Sequence, residues 1–270
     1  MVGFCLSRSV TEDLFASPCP YDDLPPKRWP NQSYVFMCME SPMFTQRWVD
    51  LYRLAPNFFN LSMTYRTDSD IWTPYIDTKS TDKGLDSTEQ MQKYISVDVN
   101  GRCGPVRICE RDGGAPDCVA KQLNEHYRFF IAFENSLCTD YVTEKYWHRW
   151  QYYSVPLVLQ RSKYEAFAPP HSFIALDDFN STREMAMYLK RLEANVTEYL
   201  SYFEWRKKSY RPTDWNPKNR APWRYKSSHC ELCELLRKPL ENRTKTYHRF
   251  ADWWHRGMCG DAVDQIYTMS

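Results

Sequence analysis

No stretch of this 270-residue chain is apolar over the roughly 18–20 positions that a membrane-crossing helix needs. Residues 1–20 also lack the apolar centre of a secretory signal. Lysine plus arginine (35) nearly balance aspartate plus glutamate (34), leaving a formal charge of +1. That near-neutrality offers no basic field for nucleic acid or an anionic membrane surface. Internal repeats and low-complexity tracts are missing as well, which excludes solenoid and linker-type chains. By themselves these absences point to the cytosol.

What is present points elsewhere. The ten cysteines are clustered, with Cys103, Cys109, Cys118 and Cys138 in one stretch and Cys230 and Cys233 close together. In a reducing compartment such clusters suggest metal or redox chemistry, and in the secretory pathway they suggest disulfides. Acceptor motifs for N-glycosylation occur at Asn31, Asn60, Asn180, Asn195 and Asn242. Eleven asparagines, each with about a 13% chance of Ser or Thr two positions on, would yield roughly one or two such motifs by chance. Five is an excess, and it favours a lumenal protein. Hydrophobic residues make up 43% and aromatics 16%, ample for one large domain or two modest ones.

The most informative segment is 127–156. Residues 129–133 form an apolar, aromatic run of strand length. Glu134, Asn135 and Ser136 make a polar turn, and Thr139 or Asp140 is placed to cap a helix over 141–153 that carries Glu144 and Lys145 in its first turn. Residues 155–159 read as a second buried strand. Strand, loop, helix, strand is a βαβ unit, whose loop after the first strand is where such sheets bind nucleotides. Helix-terminal amides and a lysine there suit a pyrophosphate. Elsewhere the pattern predicts strands at 34–39, 58–65, 95–99 and near Phe173. It predicts helices at 46–54, 87–94, 182–192 and 197–209. Alternating helices and strands make the class α/β.

FENS and DYVTEK at 133–145, followed by VPLVL at 155–159 and YEAFAP at 164–169, resemble the α1,3-fucosyltransferases. MESP at 39–42, FNLSMTYRTDSDIWTPY at 59–75, VDVNGRCG at 97–104 and FIALDDF at 173–179 agree in order. The resemblance implies a GT-B-like fold of two Rossmann-like domains facing a cleft. Residues 1–76 would be a partial acceptor-side domain, 77–86 a shortened linker, 87–235 the GDP-fucose-binding domain and 236–270 a C-terminal tail. It further implies inverting transfer of L-fucose from GDP-fucose to an N-acetylglucosamine hydroxyl of a glycoprotein or glycolipid glycan, forming an α1,3 linkage without a cofactor. Glu40, in MESP, would be the catalytic base, and Asn135, Tyr141, Glu144 and Lys145 would bind the donor. The resemblance also implies work in the Golgi lumen, with a membrane anchor expected of the full-length protein and not expected within these residues.

The same resemblance implies a gap. Residues 76–86 run directly from one motif to the next, where members carry a strand, a turn and an arginine that contacts the donor pyrophosphate. The first domain is thus expected to be incomplete and the second to lack a strand. An inactive fragment or splice form retaining weak GDP or glycan affinity is therefore an alternative. A metal-dependent transferase using Asp68 and Asp70 is another, because a DxD after a strand offers oxygen ligands to a hard cation. The resemblance instead makes that motif structural, and no metal site is expected. His229 with Cys230 and Cys233 could be a zinc site, but disulfides from each cysteine to a distant partner are expected. Trp147, Trp150, Trp253 and Trp254 are expected in the core or an interface.

Overall fold

A computed structural model describes residues 3–6, 29, 32–46, 49–75, 91, 93–98, 126–147, 152–208, 228–238, 247–255 and 259. The chain divides into two compact units. Unit 1 comprises Met1–Tyr75, Ser136–Tyr141 and Trp223–Gly260, and unit 2 comprises Ile76–Asn135, Val142–Pro222 and Asp261–Ser270.

Unit 1 is built on a parallel sheet of β1 (Gly3–Leu6), β2 (Tyr34–Cys38), β3 (Leu61–Thr64) and β4 (Ile71–Trp72), in that order. Val35 pairs with Leu61 and Met63 with Ile71. Alternate residues of β2 face opposite sides of the sheet, and each side has its own cover. Val35, Leu61, Met63 and Ile71 form a core with Leu232, joined by Met37, Leu235 and Leu236; the leucines at 232, 235 and 236 belong to α6 (Ser228–Arg237). Phe36 packs instead against Phe59, Phe250 and Trp254, with ring centroids 4.5–5.3 Å apart; the last two come from α7 (Phe250–His255). A parallel sheet covered on both faces explains why β2 is almost uniformly apolar and why even Ser62 and Thr64 of β3 are buried. Between β2 and β3 lie α1 (Pro42–Thr45) and a 3-10 turn at Leu51–Arg53. Ser41 caps α1, and Pro42 takes the first helical position, where its missing N–H costs nothing.

Unit 2 has the parallel sheet β5 (Phe129–Ile131), β6 (Val155–Val158) and β7 (Ile174–Ala175). Pro156 lies inside β6, an unusual place for a residue without an N–H. Val155 N–H donates toward β5, to the Arg128 carbonyl at 2.8 Å, so position 156 addresses the β7 side. Pairing with β7 starts only at Leu157 opposite Ile174, and no donor is missed there. Three helices accompany this sheet: α2 (Glu144–Trp147), α3 (Arg161–Tyr164) and α4 (Thr182–Ala194), with α5 (Val196–Ser201) following directly. Helix α4 is capped by Ser181 and buries Met185, Ala186, Leu189 and Leu192, one stripe of a 3.6-residue period.

Several expectations need correction. Ile95–Asp98 joins neither sheet; Ser96 and Asp98 are exposed, so one side of that segment has no apolar cover. The helix expected over 46–54 is the 3-10 turn at Leu51–Arg53, whereas the short α1 was missed. The helix expected over 141–153 begins only at Glu144, with residues 148–150 outside the described set. The helix expected at 197–209 is α5 followed by a 3-10 segment, Glu204–Lys208. Among the described residues no helix is long and apolar enough to cross a membrane.

Candidate functional site

In unit 1, Glu40 stands half-buried two residues beyond β2, directly before the Ser41 cap of α1. The Tyr141 hydroxyl donates to Glu40 Oε2 at 3.2 Å. Tyr141 is buried, its ring edge-on to Tyr65 (4.9 Å) and Tyr75 (6.0 Å), and the Tyr75 hydroxyl donates to the Met39 carbonyl. Three anchors hold the segment that carries Tyr141. Ser136 Oγ and Ser41 Oγ are 2.7 Å apart. Thr67 donates to Asp140 Oδ2 from both its N–H (2.9 Å) and its hydroxyl (2.6 Å). Cys138 is disulfide-bonded to Cys259.

Asp140 has φ +63°, a left-handed backbone that a non-glycine residue adopts only where its surroundings enforce it. It therefore works as a turn residue bonded to Thr67 and not as the helix cap that sequence suggested. Buried Tyr65 sits beside this segment with no partner for its hydroxyl, and burial pushes its pKa well above the ordinary range.

The Asp68-Ser69-Asp70 motif is engaged with protein donors. Arg66 makes a two-pronged pair with Asp68 (2.8 and 2.6 Å) and lies 4.0 Å over the Trp253 ring. Asp70 Oδ2 accepts from Ser62 N–H (2.8 Å) and from the Tyr247 hydroxyl (2.7 Å). These bonds tie the strand ends to α7 and to Tyr247 just before it. Trp254 is fully buried and Trp147 nearly so; Trp253 is half-buried, and Trp150 lies outside the described residues.

In unit 2, Glu134 follows β5 and is buried. Thr143 donates to it twice, N–H to Oε1 and Oγ1 to Oε2, both at 2.8 Å. Thr143 Oγ1 in turn accepts from the Lys145 N–H (3.3 Å), so Thr143 is the residue that caps α2. Lys145 Nζ lies 3.9 Å from Glu134 Oε2, with its side chain 11% exposed. Burial pushes the Glu134 carboxyl up to about 7, against the opposing pull of Lys145 and of the Thr143 bonds; Glu144 pushes it further up. Glu144 is itself buried on α2. Asn135 is half-buried, and its Oδ1 is a buried acceptor without a partner. Tyr141, expected with these donor residues, belongs to unit 1 and bonds Glu40.

Sequence reasoning passed over Glu134 and Thr143. The available signal was a carboxylate directly after an apolar strand, with a threonine opening TEK in the position of a cap.

Among the modification candidates, Asn60 is corrected. It is 7% exposed, and its Oδ1 accepts from the Tyr34 N–H at 2.8 Å, so a glycan there would have no exit. Asn180 and Asn195 are exposed, while Asn31 and Asn242 lie outside the described residues. Cys230 and Cys233 are free, exposed thiols on α6, in contrast to the disulfides expected of them. Cys103, Cys109 and Cys118 lie outside the described residues, and Cys138 is bonded.

Two α/β units on parallel sheets, with acidic residues gathered just past the strand ends, are consistent with a glycosyltransferase fold. Comparison with known proteins narrows this. Residues 12–76 match the fucosyltransferase N-terminal family, and residues 72–253 match the C-terminal part of glycosyltransferase family 10 (fucosyltransferase). The chain belongs to glycosyltransferase family 10. It is 32% identical over 279 residues to alpha-(1,3)-fucosyltransferase C of Drosophila melanogaster, covering 86% of this chain and 61% of that one. To alpha-(1,3)-fucosyltransferase fut-1 of Caenorhabditis elegans it is 33% identical over 285 residues, covering 91% and 62%. To the human 3-galactosyl-N-acetylglucosaminide 4-alpha-L-fucosyltransferase FUT3 it is 32% identical, covering 87% and 68%. The chain thus spans less than two thirds of the length of the two invertebrate relatives.

Proposed function

We propose that this protein transfers L-fucose from GDP-fucose to an N-acetylglucosamine hydroxyl of a glycoprotein or glycolipid glycan, with inversion, forming an α1,3 linkage. The observation that carries the reading is Glu40, half-buried at the end of β2 with one carboxylate oxygen held by the Tyr141 hydroxyl. A half-buried carboxylate oriented by a tyrosine hydroxyl just beyond a parallel strand suits a general base. The Glu40 carboxylate takes the proton of the acceptor hydroxyl as the hydroxyl oxygen bonds to the anomeric carbon of β-L-fucose. The bond from that carbon to the phosphate oxygen breaks with its electron pair, and GDP leaves from the opposite face. The product linkage is α.

Donor recognition falls to unit 2 in this reading. Lys145 offsets the charge developing on the leaving diphosphate. The unpaired Oδ1 of Asn135 accepts from a donor hydroxyl, and the Glu144 carboxylate accepts from the ribose. The displacement as written uses no cofactor. We read the two units as the Rossmann-like halves of a GT-B enzyme. The exposed acceptor asparagines Asn180 and Asn195 and the Cys138–Cys259 bond support a Golgi lumenal setting.

Glu40→Gln tests the assignment. The amide keeps shape and hydrogen bonding but cannot accept the proton, so transfer to N-acetyllactosamine-type acceptors should fall by about 10²–10⁴-fold. GDP-fucose affinity, read by calorimetry, should stay within about twofold. Near-full turnover by this variant would remove Glu40 from the mechanism.

A further inference from the structure

The mechanism above uses Lys145 but leaves Glu134 unemployed, although Glu134 is the buried carboxylate to which the start of α2 is tied. Its two oxygens receive the Thr143 N–H and hydroxyl, and Thr143 caps the helix through the Lys145 N–H. The lysine ammonium is 3.9 Å away in the same pocket. Backbone and side chain of Lys145 are therefore both referred to one carboxylate. A solvated structural glutamate would not need two hydrogen bonds from one threonine, a lysine beside it and near-complete burial. We propose that Glu134 is a positioning residue for Lys145, fixing both the helical turn that carries the lysine and the rotamer in which its ammonium is presented to the donor diphosphate. This rests on the reading that Lys145 meets that diphosphate.

The placement has an electrostatic consequence. Ionised Glu134 neutralises much of the lysine's charge at 3.9 Å, whereas protonated Glu134 leaves it whole. The other groups facing Glu134 among the described residues are Glu144 on α2 and Tyr164 on α3. Glu144 disfavours ionisation of Glu134; the Tyr164 hydroxyl is itself pushed far above its usual range by burial and by Glu134. Because burial lifts Glu134 to about 7, the change between the two states falls near neutral pH. A diphosphate arriving at Lys145 repels the glutamate's charge, so donor binding takes up a proton. Affinity is then higher on the acid side of neutrality.

The test uses GDP-fucose itself, both of whose phosphates are esterified and fully ionised across the range, so that the ligand adds no titration. Calorimetry of the full chain is run from pH 5.5 to 8 in buffers of different ionisation enthalpy. Wild type should lose affinity as pH rises, by up to about tenfold, the limit set by a one-unit rise of the Glu134 pKa on binding. It should also take up a fraction of a proton near pH 7. Glu134→Gln should give a flat profile, and the same flat but weaker profile is expected of Lys145→Met. Thr143→Ser, which keeps the hydroxyl, should behave as wild type.

A wild-type profile retained by Glu134→Gln would overturn the proposal. If that variant does not fold, a pH-dependent wild type beside a flat Lys145→Met supports the coupling, and a sloping Lys145→Met overturns it. Unchanged affinity in Lys145→Met at every pH sinks the donor reading of that lysine instead, which separates the two failures.

Discussion

Glu40 and Glu134 occupy comparable places, two residues beyond β2 in one unit and three beyond β5 in the other. Both positions lie at the carboxyl end of a parallel strand, where α/β proteins keep their chemistry. Their surroundings differ in kind. Glu40 is half-buried, and one of its oxygens accepts from the Tyr141 hydroxyl. Glu134 is buried with both oxygens engaged by Thr143, and a lysine stands beside it. Equivalent placement on the fold therefore does not confer equivalent work. Exposure decides which carboxylate a reactant can reach.

The sharpest way to break this contrast is to neutralise each carboxylate. Glu40→Gln should remove turnover by the two to four orders of magnitude given above while leaving melting temperature nearly unchanged. In Glu134→Gln the larger effect should be on donor affinity and its pH dependence. If the two variants lost turnover equally with no change in donor binding, the distinction between base and positioning residue would fail.

Next in size is the disulfide that pins the Tyr141 segment. Cys138 and Cys259 are 121 residues apart in sequence, so the bond closes a long loop and limits the unfolded chain. Replacing both by serine should destabilise unit 1 by about 2–5 kcal/mol. Because Cys138 is two residues from Asp140 and three from Tyr141, transfer activity should fall in parallel with the Tyr141 contact. Chemical denaturation with and without reductant measures the first effect. A midpoint insensitive to reductant would show that the bond contributes nothing to the fold.

The pattern of legibility follows from burial. Strands β2, β5 and β6 could be read in sequence because a buried parallel strand is an uninterrupted apolar run, as YVFMC and VPLV are; β3, LSMT, lies within the motif run 59–75. Helix α4 was readable for the same reason at a different period, with Met185, Leu189 and Leu192 on one stripe. What escaped was set by contacts distant in sequence. Asp140 looked like a cap, and only the meeting with Thr67, 73 positions away, shows it as a left-handed turn residue. Asn60 looked like a glycan acceptor until its side chain was seen to hold the Tyr34 backbone. The proposed base Glu40 and donor residue Lys145 came from motif resemblance, whereas Glu134 needed coordinates: the apolar strand before it and the threonine of TEK mark a turn carboxylate beside a cap, but not its burial.

The pH dependence of stability offers a finer comparison. Glu134 titrates near 7 in the folded chain, against 4.5 ordinarily, so the folded state binds more protons than the unfolded between those values. Its contribution to stability is then fully present below about 4.5 and is lost as pH rises toward and through 7. Glu134→Gln, which cannot ionise, should show a flatter loss over that window than wild type. Melting temperatures of both proteins at half-unit steps from pH 4.5 to 8 would reveal the difference. Parallel curves would mean that Glu134 is ionised throughout and that burial does not dominate its environment.

The smallest expected effect belongs to Thr143, whose hydroxyl gives to Glu134 and accepts from the Lys145 N–H. Thr143→Val keeps the β-branched shape and removes both bonds, leaving one Glu134 oxygen and one helix-terminal donor unpaired. Loss of a cap costs about 0.5–2 kcal/mol. In this pocket the penalty should grow with pH, since an ionised Glu134 needs the hydroxyl more than a protonated one does. Thr143→Ser should restore most of the stability, because the serine hydroxyl can make the same two bonds. Unit 1 offers a comparison: Ser41→Ala removes the cap of α1 and leaves Thr143 and Glu134 untouched. Its cost should be similar in size but independent of pH between 5 and 8. Equal pH dependence in the Thr143 and Ser41 variants would mean that the cap at Thr143 is an ordinary one, with no coupling to Glu134.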